Sequence, residues 1–110
     1  MGGSAFLGQF EQMVLLTLLQ LGDDAHAINI RSYLDEQAGH RVTRGALYRT
    51  LDRLEAKGHV DWELEEPTPE RGGYPRRRFS VTRKGLEALR ASHGALSILS
   101  QGLETQLRGP

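Results

Sequence analysis

The chain has 110 residues, with 14 Lys and Arg against 14 Asp and Glu, 38% hydrophobic and 6% aromatic residues, and no Cys. That length is one domain, and one this short buries only about two-thirds of its unfolded surface, so its stability is marginal unless subunits associate. The absence of Cys excludes disulfides, thiolate metal sites, iron–sulfur clusters and a cysteine nucleophile. The longest apolar run, residues 13–21 interrupted by Thr17 and Gln20, is too short to span a bilayer. No basic segment precedes an apolar stretch as a signal peptide requires, and Phe6 stands where a myristoylation signal needs Ser or Thr. A soluble, cytoplasmic protein with no membrane partner is expected.

The zero net charge hides an asymmetry. Residues 1–40 carry one base, Arg31, against five acids, a net of −4, while residues 41–90 carry twelve bases against eight acids, a net of +4. Between Arg71 and Lys84 there are six bases and no acid. Such polarity suits a polyanion partner, although a basic cluster is more often a solvated loop.

In chain order, a first helix is expected over residues 7–21. Its leucines cover much more than one stripe, so it must be buried on several sides, which implies a partner subunit. Gly22 ends it. Asp23 or Asp24 then caps a second helix over residues 25–37, with Ile28, Ile30, Tyr33 and Leu34 facing inward and Gly39 closing it. Thr43 caps a third helix over residues 44–57, whose core stripe is Leu47, Leu51 and Leu54. A strand over residues 60–65 alternates Val60, Trp62 and Leu64 with acids, and a second strand over 76–81 returns from the turn-rich segment 67–75, which suits neither helix nor regular strand. Thr82 caps a last helix over residues 83–108, where Leu86, Leu89, His93, Leu96, Ser100, Leu103 and Leu107 repeat as an associating seam, with bending or fraying expected near Gly94 and Gly102. Residues 1–5 are expected to be a disordered start or an expression remnant, and residues 109–110 to fray. Phe6, Phe10 and Met13 read as core residues ahead of cleft-lining ones.

Three helices followed by a hairpin make a mainly helical winged helix-turn-helix domain over residues 6–82, with a C-terminal dimerisation helix over 83–108. In that arrangement the third helix enters the major groove and the wing reaches a flanking groove. At 100° per residue, Gly45, Arg49 and Asp52 point away from the leucine stripe, with Arg44, Tyr48 and Arg53 on its flanks. Arg suits guanine edges, the Thr43 and Tyr48 hydroxyls suit phosphates, and Gly45 lets backbone approach the duplex. Arg53 is the weaker candidate, because Glu36 and Glu55 are available to pair with it. The wing offers Arg71, Gly72 and Gly73 at its tip and Arg76, Arg77 and Arg78 on its return strand; alternation sets Arg76 and Arg78 on one face and Arg77 on the other. Glu63, Glu65, Glu66 and Glu70 stand close enough to neutralise some of them. Dimerisation residues are expected among Leu7, Phe10, Val14, Leu86, Leu89, Leu96, Leu99, Leu103 and Leu107.

The stretches Leu7-Gly-Gln-Phe-Glu-Gln12, Leu18-Leu-Gln-Leu-Gly22, Gly45-Ala-Leu-Tyr-Arg-Thr-Leu-Asp-Arg-Leu-Glu55, Lys57-Gly58, Glu66-Pro67, Gly72-Gly73 and Arg78-Phe-Ser-Val-Thr-Arg-Lys-Gly85 together resemble the PadR family of bacterial transcriptional regulators. The resemblance covers roughly residues 6–90. It implies a winged-helix homodimer that represses genes by binding a pseudo-palindromic operator in double-stranded DNA. By the same resemblance Tyr48 matches a backbone-contacting tyrosine, Arg44, Gly45 and Arg49 match the exposed start of the recognition helix, and Arg71, Gly72, Gly73, Arg76 and Arg77 match the wing. One helix after the wing resembles the short-tailed members, which dimerise through the last helix and the first. Some members bind small aromatic effectors near the dimer interface, which adds a small-molecule effector to the candidate partners. Here the last helix has no aromatic residue, and Trp62 belongs to the wing.

Catalysis has little support. The sequence has no phosphate loop, zincin helix or dinucleotide glycine fingerprint. His26, His40, His59 and His93 are widely spaced, so neither a metal site nor a cofactor is expected. Two other classes remain beside the DNA-binding regulator: a winged-helix module that binds protein, and a ligand sensor without direct DNA binding.

Overall fold

The computed structural model of the chain describes residues 6–109, so the expectations for residues 1–5 and for Pro110 lie outside the described residues. Helix α1 (Gln9–Leu21) is followed by α2 (Ala27–Ala38), α3 (Arg44–Ala56), strands β1 (Val60–Glu65) and β2 (Arg76–Val81), and helices α4 (Arg83–Leu99) and α5 (Glu104–Arg108). Leucine periodicity drives the assembly. Val14, Leu15 and Leu18 of α1 meet Ile30 and Leu34 of α2 and Leu47, Leu51 and Leu54 of α3, with Val60, Phe79 and Leu89 closing the cluster. Burying each such side chain is worth about 1.5–3 kcal/mol. Helices α2 and α3 form the helix-turn-helix. The antiparallel pair runs from Val60 opposite Val81 to Glu65 opposite Arg76 and forms the wing. Its stem is pinned to the body where the Phe79 N–H donates to the Ala25 carbonyl at 2.9 Å.

Local signals set most boundaries. Gly39 closes α2 at φ 62°. The hydroxyls of Thr43 and Thr82 accept the N–H groups of Ala46 (3.1 Å) and Gly85 (3.0 Å), capping α3 and α4. The start of α2 departs from expectation. Gly22 turns the chain at φ 56°, a 3₁₀ turn takes up Gly22–Asp24, Ala25 turns again at φ −81° and ψ 68° with its carbonyl bonded to β2, and only His26 is extended. Neither Asp is therefore in place to cap, and His26 is the N-cap residue, with no side-chain capping bond. Ile28 is 70% exposed because, at 100° per residue, it lies about 200° from the buried Ile30. Tyr33 is half-buried and Phe6 is exposed. Within the turn-rich wing tip, Pro69–Arg71 forms a single 3₁₀ turn where no helical structure was expected.

The last helix is two helices. Gly94 stays inside α4, but the chain turns after Leu99, with Gly102 at φ 81° and its N–H donating to Glu104 Oε2 at 3.2 Å. The helix breaks there because glycine adopts positive φ without steric cost, and the flanking Glu104 replaces the lost backbone partner.

Candidate nucleic-acid interface

Helix α3 turns Leu47, Leu51, Leu54 and Thr50 into the core, which leaves Gly45, Arg49 and Asp52 on the solvent side. The Arg49 guanidinium folds back toward the helix N-terminus, so that a Cβ on Gly45 would lie 3.4 Å from its Nη1. Arg44 places its guanidinium 5.6 Å from the Tyr48 ring centroid. Neither Arg44 nor Arg49 pairs with a carboxylate among the described residues. The Thr43 hydroxyl has accepted the capping N–H and keeps its own proton to donate.

Arg53 is held elsewhere. Its Nε lies 3.4 Å from Glu11 Oε2 and the Lys57 Nζ 3.2 Å from the same oxygen, so its partner is Glu11 of α1 and neither Glu36 nor Glu55. Glu11 is buried. Burial pushes its carboxyl pKa up, but the Gly8 N–H (2.9 Å), Lys57 and Arg53 outweigh this and hold it below its ordinary value. Glu55 instead accepts from Trp62 Nε1 at 3.1 Å.

On the wing, the register sets Arg76 opposite Glu65 and Arg78 opposite Glu63. Arg76 Nε donates to Glu65 Oε1 at 3.0 Å, while Arg78 donates to Glu63 Oε1 at 2.9 Å and Glu65 Oε2 at 3.5 Å. His26 Nε2 also donates to Glu65 Oε1, at 2.8 Å. The hydrogen bonds from Arg76 and His26 hold the Glu65 carboxyl below the usual carboxylate range. Arg77 lies on the other face, with its guanidinium carbon 4.9 Å from the Trp62 centroid, 5.1 Å from Tyr48 and 5.2 Å from Phe79. Gly72 and Gly73 take φ of 69° and 81° at the tip, a backbone that favours glycine. The Arg71 side chain is outside the described structure.

An open cleft of about 690 Å³ separates the wing from the helix-turn-helix. Ile28, Arg31, Arg44 and Tyr48 wall one side, Leu64, Pro75, Arg76 and Arg77 the other, and among the described residues no carboxylate lines it. Arg31 is an addition to the interface. Its Nε donates to the Val42 carbonyl at 3.1 Å, directly before the Thr43 cap, which fixes it beside the start of α3. The one signal in the sequence was that Arg31 is the sole base among the first 40 residues. Ile28 and Leu64 are also new to the site; their apolar character argued for burial.

Among the expected dimerisation residues, Leu7, Val14 and Leu89 are buried in the chain's own core and Phe10 and Leu86 are half-buried, so they offer little to a partner. Leu96, Leu99, Leu103 and Leu107 are exposed and flank an open groove of about 480 Å³. Leu16 and Leu19 of α1 are exposed as well. A second groove of about 500 Å³ is lined by Gln9, Gln12, Met13, Leu16 and Leu96. Among the described residues, no His, Asp and Glu cluster is placed to hold a metal ion, and no helix is long and apolar enough to cross a membrane.

Comparison with known proteins agrees with this geometry. Residues 15–91 match the transcriptional regulator PadR-like family. A 37.1 kDa protein in transposon TN4556 of Streptomyces fradiae is 35% identical over 89 residues, covering 81% of this chain; the chain spans 24% of that relative's length. A PadR-like transcription factor from Bacteroides fragilis superposes with a TM-score of 0.71 at 28% identity, covering 89% of each chain. A PadR family regulator from Eggerthella lenta gives a TM-score of 0.66 at 26% identity, over 90% of this chain and 84% of the other. A PadR-like regulator from Bacillus cereus shares the fold at 20% identity, with a TM-score of 0.68 over 92% and 93% of the two chains.

Proposed function

This chain belongs to the PadR-like family, a family of DNA-binding transcriptional regulators and not of enzymes, and from that premise we propose that it is a homodimeric repressor of a pseudo-palindromic operator. The observation that carries this reading is the coincidence of two features on one face. Among the described residues, Arg44 and Arg49 stand without carboxylate partners at the exposed start of α3, and beside them runs a cleft with guanidiniums and no carboxylate along its walls.

Arg49, with Gly45 beside it, reads guanine edges in the major groove, and Thr43, Arg44 and Tyr48 donate to phosphates. The strand that divides the major groove from the flanking minor groove occupies the cleft, with Arg31 and Arg76 on its phosphates and Ile28 and Leu64 against its sugars. Arg71, Gly72 and Gly73 approach the neighbouring groove, and Arg78 exchanges Glu63 for a phosphate. The exposed leucines Leu96, Leu99, Leu103 and Leu107, with Leu16 and Leu19, form the dimer contact and set two α3 helices about 34 Å apart, one duplex turn. A small-molecule effector has its place in the groove of Gln9, Gln12, Met13, Leu16 and Leu96, between the dimer contact and the body, where it would bias the spacing of the two wings.

Selection of a randomised duplex library by the purified protein at near-physiological salt tests the reading. An enriched inverted repeat is the expected outcome. No enrichment by a folded, dimeric sample overturns it in favour of a winged-helix protein-interaction module, for which the exposed leucines of α4 and α5 would serve as the docking face. Arg49→Ala should weaken the enriched operator by about 1–3 kcal/mol more than mixed-sequence DNA; equal loss on both would remove Arg49 as a base reader.

A further inference from the structure

Three consecutive arginines on β2 have three different surroundings. Arg76 and Arg78 each meet a carboxylate directly across the hairpin, whereas Leu64 stands opposite Arg77 and offers no charge. Arg77 is half-buried, and no hydrogen bond or ion pair holds its guanidinium among the described residues. A guanidinium drawn in from water needs compensation. Here it comes from the faces of Trp62 and Phe79 on the wing and Tyr48 on α3, each centroid within 5.2 Å. The planar, weakly hydrated Arg side chain suits such stacking better than any other cation.

The position matters as much as the contacts. Tyr48 is on the recognition helix and Trp62 on the wing, so one guanidinium joins the two elements that flank the cleft. Trp62 adds a second tie through its Nε1 donation to Glu55 of α3 at 3.1 Å. We propose that Arg77 is a positioning residue, which docks the wing on the recognition helix through Tyr48 and Trp62, and that it is not one of the phosphate contacts. This rests on the DNA-binding reading above. Without the contact the wing, still pinned at its stem by Ala25, would be held less tightly against α3, and fixing it there on binding would cost affinity without removing a charge from the DNA contact.

The two roles predict different salt behaviour. A phosphate contact contributes about one unit to the slope of log affinity against log salt, whereas a positioning residue contributes nothing to it. Trp62 is the only Trp in the chain, so intrinsic emission reports the docking without DNA. The test uses Arg77→Gln and Trp62→Leu, each shown to melt cooperatively, with titrations of a mixed-sequence duplex at several salt concentrations. Arg77→Gln should alter Trp62 emission in the free protein, weaken binding roughly three- to ten-fold and leave the slope as in the unaltered protein. Trp62→Leu, which removes no charge, should cause a loss of the same size with the same slope. A slope lowered by about one unit in Arg77→Gln overturns the proposal whatever the emission does, as does undiminished affinity in that variant. If the unaltered protein fails to bind the duplex, the functional reading fails, and unchanged emission in Arg77→Gln then overturns the docking contact separately.

Discussion

Glu63 and Glu65 pair with Arg76 and Arg78 across the wing, two of the arginines proposed to meet phosphates. The pairs are partly exposed, so they add little to stability, but on the proposed DNA contact the phosphates would have to displace them, which makes them a control on affinity. Glu63 is 76% exposed at its side chain, and among the described residues its carboxylate pairs with Arg78 alone. Glu63→Gln should leave the melting temperature nearly unchanged, raise affinity for mixed-sequence DNA and steepen the salt slope by up to about one unit, as read by titration at several salt concentrations. Two buried groups make stability sensitive to acid. The His59 imidazole is pushed below its ordinary value of 6.5 by burial and then by Lys84 and Lys57, and the Glu11 carboxyl is held below 4.5 by Gly8, Lys57 and Arg53 against the cost of burial. The folded state resists protonation of both. The stability linked to His59 is complete above 6.5 and declines as pH falls below it; that linked to Glu11 declines below 4.5, as pH falls through the lowered folded value. Thermal melts across this range should show two successive declines, and His59→Asn should remove the first while keeping the second.

Between elements, the joint from α3 through β1 to α4 has the least tolerance. The Thr82 hydroxyl donates to the Gly58 carbonyl at 2.6 Å and accepts from the Gly85 N–H, while the Thr82 N–H donates to the His59 carbonyl at 3.0 Å. Helix α4 thus starts in contact with the segment that leads into the wing. A Cβ on Gly85 would collide with the His59 carbonyl, a backbone atom that cannot turn aside as a side chain could. Gly85→Ala should therefore cost about 1–3 kcal/mol in denaturant unfolding, although alanine is the better helix former. Stability equal to or above that of the unaltered protein would contradict the close approach. The α1–α4 contact is anchored by the Leu7 N–H, which donates to Ser92 Oγ at 2.8 Å. Beyond Ser92 the large apolar residues of α4, Leu96, Ile98 and Leu99, are exposed.

The whole molecule is elongated, 52 × 40 × 22 Å, with a radius of gyration of 15.8 Å. A compact chain of this length would have about 13 Å. The excess reflects the end of α4 and α5 projecting from the body. Leu96, Ile98, Leu99, Leu103 and Leu107 on that projection are between 42% and 74% exposed. Clustered apolar exposure of this kind is what the proposed dimer contact requires. Leu96 borders both grooves on that side. Leu96→Glu combined with Leu99→Glu should shift the protein to monomer in sedimentation, remove any rise of melting temperature with concentration, and weaken operator binding far more than it weakens binding of a single half-site. A variant that remains dimeric would move the interface elsewhere.

Much of the fold was legible in sequence because the signals were local. The Leu47, Leu51 and Leu54 stripe, the Thr43 and Thr82 caps, Gly39 and the alternating strand each depend on residues within one or two turns of one another, and each stands where its chemistry puts it. The candidate site was legible only as a set of exposed bases. Tertiary packing chose their partners, because the groups involved are far apart in the chain: Glu11 and Lys57 are 46 residues apart, and His26 and Glu65 are 39 apart. Periodicity separates Arg49 from Arg53 and Arg76 from Arg77 by face, but it does not name their partners: Arg53 meets Glu11 of α1, Arg76 meets Glu65, and Arg77 stacks on Trp62, Tyr48 and Phe79. The same holds for the leucines. Heptad spacing runs through Leu89 and Leu96 alike, yet Leu89 is buried in the core whereas Leu96 stays exposed at the edge of a groove beside α1. Local chemistry thus determined the elements and their ends, whereas the free, paired or buried state of each side chain followed from distances that exist only once those elements have packed.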